Sequence, residues 1–360
     1  MRVVSTSSSS RPVATWIVIG VIMLLIQVVL GGITRLTGSG LSITEWNVIT
    51  GTLPPLREAK WVEEFNKYKQ TPQYQLLNTS FTLADFKFIF FWEWLHRFWA
   101  RLIGIVFIVG FVYLVSKKYL KKSMERPLLI LFLLGALQGA IGWIMVVSGL
   151  TGDAVYVKPT RLALHFTFAL VLICYAYWFA LQLMIPGTQK VSAPSIKRWT
   201  WTLLAILFFQ LVFGALMAGH KAATAAPSWP DINGSIIPES LFVEKPLALN
   251  FIENKITIHF LHRGLAYLLF IATLLFTFKL SRLDRISPML RRVKWIPLVL
   301  ISIQLILGIV SVVSSPGIVP NQWGLFEWMA QLHQVVAMLF LLSLVTILYL
   351  TRSKSFMQLS

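Results

Sequence analysis

Apolar residues gather in eight long runs, at about 13–33, 88–115, 127–149, 161–185, 199–219, 257–279, 294–313 and 328–350, separated by polar or basic segments. A helix of about 20 apolar residues crosses the hydrocarbon core of a bilayer. Backbone polar groups in lipid need partners within the protein, so each run is predicted to be a helix. The pattern predicts an all-α polytopic membrane protein with eight transmembrane helices.

Two of the connections are long. In the first, residues 34–87, Trp61, Phe65 and Tyr68 recur at helical spacing and predict an amphipathic helix along the membrane surface. The second, residues 220–256, is rich in Pro, Gly and Asn and predicts an irregular cap. The remaining connections are shorter. Those on one side, together with both termini, collect 18 of the 32 basic residues against only Glu125 and Asp284. Basic loops stay in the cytoplasm, so both termini are expected there and the two long loops outside. The formal net charge of +18 is thus a topology signal, and nucleic acid is not an expected partner.

The first run is too long for a signal-peptide core and lacks a small-residue cleavage site, so it reads as a retained span. No long Arg-rich, acid-poor transit segment precedes it, and a bacterial inner membrane is expected. Composition agrees: 56% of residues are hydrophobic, 13% are charged, and mean hydropathy is +0.72. Cys174 is the single cysteine and lies in an apolar run, so an internal disulfide, a zinc site of cysteines and an iron–sulfur cluster are all excluded.

The chain reads as a duplication. Gln27 and Gly31 in span 1 match Gln210 and Gly214 in span 5. His96-Arg97 in span 2 matches His262-Arg263 in span 6. Gln138, Gly142 and Ser148 in span 3 match Gln304, Gly308 and Ser314 in span 7. His165 in span 4 matches His333 in span 8. Four matches in one order predict two parallel-repeat four-helix bundles, residues 1–190 and 191–360, facing the same way.

Four of six histidines therefore fall early in even-numbered spans and share one depth. A single histidine in a membrane also fits a cross-helix hydrogen bond. Two facing imidazoles at one level fit a haem iron, which takes axial ligands on opposite faces. The pairs are His96 with His165 and His262 with His333. Arg97, Arg101 and Arg263 sit close behind them as candidate partners for propionates, or as side chains that snorkel to the interface. Glycines 104, 139, 142, 214, 264 and 308 suit either a porphyrin or close helix packing. The halves differ at one position. Glu93 stands three residues before His96, and His259 stands three before His262. A carboxylate at that depth suggests acid–base or electrostatic chemistry; a partner for Arg97 or Lys87 is the plainer alternative. His220 and His259 have no assigned role.

Several stretches carry a family resemblance. They are Gly31 to Ser42 (GGITRLTGSGLS), Thr44-Glu45-Trp46, Gly51 to Leu56 (GTLPPL), Phe65-x-x-Tyr68-x-x-Thr71-Pro72-x-Tyr74, Phe86-Lys87-x-Ile89-Phe90 and Glu93-Trp94-x-His96-Arg97. Ala218-Gly219, Trp229-Pro230, His262-Arg263 and Gln331-x-x-His333 follow in the second half. The sequence resembles the haem A synthase family over nearly its whole length. The resemblance implies oxidation of the C8 methyl of haem O to a formyl group, through successive hydroxylations, giving haem A for terminal oxidases. It implies that His262 and His333 ligate haem b, that His96 and His165 hold the substrate haem O, and that Glu93 is catalytic. Some relatives carry cysteine pairs in external loops; this chain has none, so electron delivery takes another route. Expected partners are haem O and haem A, membrane lipid, a haem O synthase and an electron donor of unspecified kind, with a homo-oligomer as a further option. A two-haem b-type electron-transfer cytochrome and a haem transporter or chaperone are the competing readings; neither accounts for Glu93.

Overall fold

A computed structural model describes residues 10–46, 50–283, 286–319 and 322–352. Arg2, Asp284, Arg285 and Lys354 of the charge comparison lie outside these residues. Among those described, eight helices are long and apolar enough to cross a membrane. They are α1 (Ser10–Leu36), α4 (Leu83–Ser116), α5 (Lys122–Val147), α6 (Pro159–Met184), α7 (Pro194–Gly219), α8 (Lys255–Ser281), α10 (Ile296–Ser314) and α11 (Leu325–Leu350). Three short helices join them: α2 (Glu58–Tyr68), α3 (Pro72–Leu77) and α9 (Pro288–Val293). The chain is a multi-pass, all-α membrane protein.

Helices α1, α6, α7 and α11 form the middle of the molecule, with α4 and α5 flanking one side and α8 and α10 the other. The largest buried cluster runs through α6, α7, α8, α10 and α11 and includes Ile173, Leu203, Phe276 and Phe340. Ile105, Val109, Phe208 and Ile306 are exposed on outward faces, as expected of side chains that meet lipid. Polar side chains stitch the seam between α1 and the second half. Gln334 donates to the Val28 carbonyl at 2.8 Å and Gln331 to that of Val29 at 3.3 Å. Arg35 donates to the Ala218 carbonyl at 3.2 Å. Such bonds across apolar helices supply specificity that lipid-like side chains cannot.

The two long loops share one end of the molecule. Helix α4 is 34 residues long, about 51 Å at 1.5 Å per residue, well beyond the thickness of a bilayer core. Its start precedes the predicted one by five residues because Thr82 and Asp85 form a reciprocal capping box there. The extra turns support α2 and α3. Phe65 and Tyr68 of α2, which share the predicted helical face, are buried against Phe86 and Phe90 of α4. Residues 220–256 contain 3-10 turns and an isolated bridge between Ile232 and Ser235, in keeping with the irregular cap predicted.

Tyr68 pins this loop layer. Its hydroxyl donates to Gln73 at 3.0 Å and accepts from Asn78 at 2.7 Å. Tyr68→Phe is expected to destabilise the layer by about 1–3 kcal/mol, measured as faster amide exchange in α2 and α3 with the long helices unchanged. Burial pushes the Tyr68 hydroxyl up to about 12 from the usual value near 10. The neutral phenol is the native form, so its contribution is intact below pH of about 10 and declines as pH rises toward 12.

Candidate functional site

The four predicted histidines rest in four seats of the same construction. Each seat combines a glutamine and the glycine four residues after it on one helix with a histidine from the next. Gln27 places its amide nitrogen 3.2 Å from both ring nitrogens of His96 and donates to the His96 carbonyl at 3.1 Å. Gln138 lies 3.2 and 3.4 Å from the ring nitrogens of His165 and donates to its carbonyl at 3.1 Å. Gln210 lies 3.3 Å from His262 Nε2. At the fourth seat the backbone serves instead, with His333 Nδ1 3.0 Å from the Gln304 carbonyl.

The glycines are required by distance. A Cβ on Gly31, Gly142, Gly214 or Gly308 would stand 3.1, 2.9, 3.1 or 2.9 Å from Cε1 of His96, His165, His262 or His333. Each imidazole therefore brings its Cε1 edge close to a neighbouring backbone, five or six residues from the long-loop end of α1, α5, α7 or α10. Glycines 104, 139 and 264 face open space instead. Gly142→Ala and Gly308→Ala are expected to push the imidazole out of register, at about 1–3 kcal/mol of packing strain. The check is the thermal midpoint of the purified variant, which falls.

The rings of His262 and His333 face each other, with centroids 6.3 Å apart and planes at 65°. His96 and His165 lie within electrostatic reach of one another. Among the described residues no group of three or more His, Cys, Asp or Glu is arranged to hold a metal ion.

Glu93 is buried and fully engaged. Its Oε2 accepts from the Ser42 backbone N–H at 2.7 Å, the Ser42 hydroxyl at 2.7 Å and the Ile43 N–H at 3.0 Å. Its Oε1 accepts from Arg97 at 2.5 Å. Arg97 also donates to the carbonyls of Ile43 at 3.1 Å and Glu45 at 3.2 Å, with Trp46 over its guanidinium at 4.9 Å. Lys87 pairs with Glu58 instead, at 2.9 Å. Arg263 performs the matching task in the second half. It donates to the carbonyls of Ala226 at 3.1 Å, Ser228 at 2.7 Å and Asp231 at 2.6 Å. Each arginine that follows a site histidine thus fastens its long loop over the helix ends. Arg101 is half-buried one turn below Arg97.

His259, at the position of Glu93, is buried with neither ring nitrogen hydrogen-bonded. His220 lies 2.6 Å from the Ile252 carbonyl at the rim. Sequence reasoning used the four glutamines only as markers of the repeat and missed that the side chains of Gln27, Gln138 and Gln210 and the backbone of Gln304 seat the histidines. Their constant spacing of four from a glycine, one helical turn, was the available signal. It also passed over Ser42, whose partnership with Glu93 spans 51 positions and leaves no local trace.

Comparison with known proteins decides the relationship. The family described as cytochrome oxidase assembly protein matches residues 14–345. This chain belongs to that family. It is 41% identical over 339 residues to the heme A synthase of Flavobacterium psychrophilum, covering 92% of this chain and 96% of that protein. It is 40% identical over 341 residues to the heme A synthase of Flavobacterium johnsoniae, covering 94% and 96%. Against the heme A synthase of Nitrosomonas eutropha it is 40% identical over 282 residues, covering 77% and 79%. The cytochrome oxidase assembly family match includes all four histidine seats, Glu93 and both loop-fastening arginines.

Proposed function

We propose that the chain is a haem A synthase that oxidises the C8 methyl of haem O to a formyl group, acting in a bacterial inner membrane with both termini in the cytoplasm. The observation that carries this reading is the fourfold histidine seat at one level, in which, among the described residues, only the pair formed by His96 and His165 has a buried carboxylate one turn away. Relatives named heme A synthase support it over nearly the full chain.

The residues fit haem iron. His262 Nδ1 and the side-chain oxygens of Gln27, Gln138, Gln210 and Gln304 are buried without hydrogen-bond partners. His333 gives Nδ1 to a backbone carbonyl, which leaves Nε2 as the coordinating nitrogen, the usual arrangement of a metal-bound histidine. We assign His262 and His333 of the second half, residues 191–360, to haem b, and His96 and His165 of the first half, residues 1–190, to the substrate haem O. Haem b, when bound, supplies one-electron transfer. A guanidinium has five N–H donors, so Arg97 and Arg263 keep some for a propionate while holding their loops. Arg101 lies on the same helix for the same purpose. Glu93 serves the chemistry of the first half, where a carboxylate can accept a proton or stabilise developing positive charge. Neither it nor any thiol brings in electrons, so a separate donor is required.

Coexpression with a supply of haem O, followed by pigment extraction, tests the reading. Haem A or hydroxylated haem O in the extract is the expected result. Haem b alone would favour an electron-carrying cytochrome or a haem transporter.

A further inference from the structure

The two halves differ below the histidine pairs. In the first half a cavity of about 320 Å³ lies between α1, α4, α5 and α6, on the short-loop side of His96 and His165. That size falls within the range of ligand pockets, about 300–1,000 Å³. Its walls are opened by Gly20, Gly104, Gly135 and Ala176. A Cβ on any of these three glycines would meet nothing within 4 Å. The floor is aromatic: Trp16 and Phe107 are 5.2 Å apart, and Phe107 stacks on Phe132 at 6.4 Å. Trp16 spends its indole N–H on the Val106 carbonyl at 3.1 Å, so the floor presents carbon.

Counting from the matched glutamines and histidines, the second half carries Leu203, Phe270, Ile301 and Leu344 at the positions of Gly20, Gly104, Gly135 and Ala176. Leu203, Ile301 and Leu344 are buried in the main core, and Phe270 packs against it. The same place is hollow in one half and filled in the other. The helices follow suit, since α8 packs on α10 while their counterparts α4 and α5 meet only sparsely. Ile108 and Phe132, at the edge of the hollow, are 57% and 52% exposed, so it opens sideways toward lipid.

We infer that this hollow receives the isoprenoid side chain of the substrate haem, and that Gly20, Gly104 and Gly135 determine which half accepts a tailed porphyrin. The inference rests on the haem A synthase reading. Haem O differs from haem b by a long hydroxyethylfarnesyl chain on the macrocycle edge, an apolar group that needs an apolar channel beside the ring seat. The filled half leaves no such channel and suits a tailless haem. A slot open to the bilayer also lets the tail slide in from lipid without crossing water.

The test compares the wild type with Gly104→Phe and Gly135→Ile, each copying the residue of the second half. Haem O and haem b are titrated separately into protein whose His262–His333 site is already filled. The wild type is expected to take up haem O at least tenfold more tightly than haem b in the first half. Both variants are expected to lose that preference and to show a KM for haem O raised about tenfold, with the spectrum of the second half unchanged. Retained preference would overturn the inference, as would equal losses for both haems, which would mean a disturbed ring seat. Native mass spectrometry separates a lipid occupant: a phospholipid that stays bound after haem O enters would also overturn it. A wild type that prefers haem O but makes no haem A would refute the enzymatic reading and leave the tail pocket standing.

Discussion

Glu93→Ala is expected to abolish haem A formation while leaving the haem spectrum of His262 and His333 in place. The carboxylate answers four donors at once: two backbone N–H groups, the Ser42 hydroxyl and Arg97. Removing one member of a buried ion pair costs about 3–5 kcal/mol, because the partner charge stays behind. All four donors belong to the first loop or to α4, so the damage is confined to the first half. Alanine alone does not separate chemistry from tethering. Glu93→Gln does, because its oxygen can still accept from the loop while the negative charge is gone. If charge at this point acts in the reaction, the glutamine variant is as inactive as the alanine variant, and pigment extracts contain haem O in place of haem A. Should glutamine restore product, Glu93 is a tether for the loop. Full product from Glu93→Ala would remove the residue from the mechanism altogether.

His262→Ala is expected to lose the stable b-type spectrum nearly completely, and His333→Ala to do the same. The two rings face each other at 6.3 Å, and an iron held by two imidazoles cannot keep six-coordinate, low-spin character with one of them gone. His96→Ala is expected to keep that spectrum and to fail in haem A formation. The difference between these variants reads out which pair holds which haem. An unchanged spectrum in His262→Ala would refute the ligand assignment.

Much of this molecule is legible in the order of its residues. The eight spans follow from runs of apolar side chains, because lipid imposes one rule on every buried backbone group. The face of α2 follows from Trp61, Phe65 and Tyr68. The common level expected of the histidines follows from their place early in the even-numbered spans. What is not legible depends on tertiary approach. The partnership of Glu93 with Ser42 and the hold of Arg263 on three carbonyls come from segments far apart in the chain. Arg97 and Arg263 show the difference most clearly. Their depth marks them as needing an anion or water, yet backbone carbonyls of the loops take two donors of Arg97 and three of Arg263.

The stitching of α11 to α1 also ties the histidine of one half to that of the other. Gln334 directly follows His333, and its amide bonds to Val28 at 2.8 Å. Val28 directly follows Gln27, whose amide lies 3.2 Å from the His96 ring. From one imidazole to the other the path is covalent except for two hydrogen bonds, so a shift of α11 against α1 would be felt at both histidines.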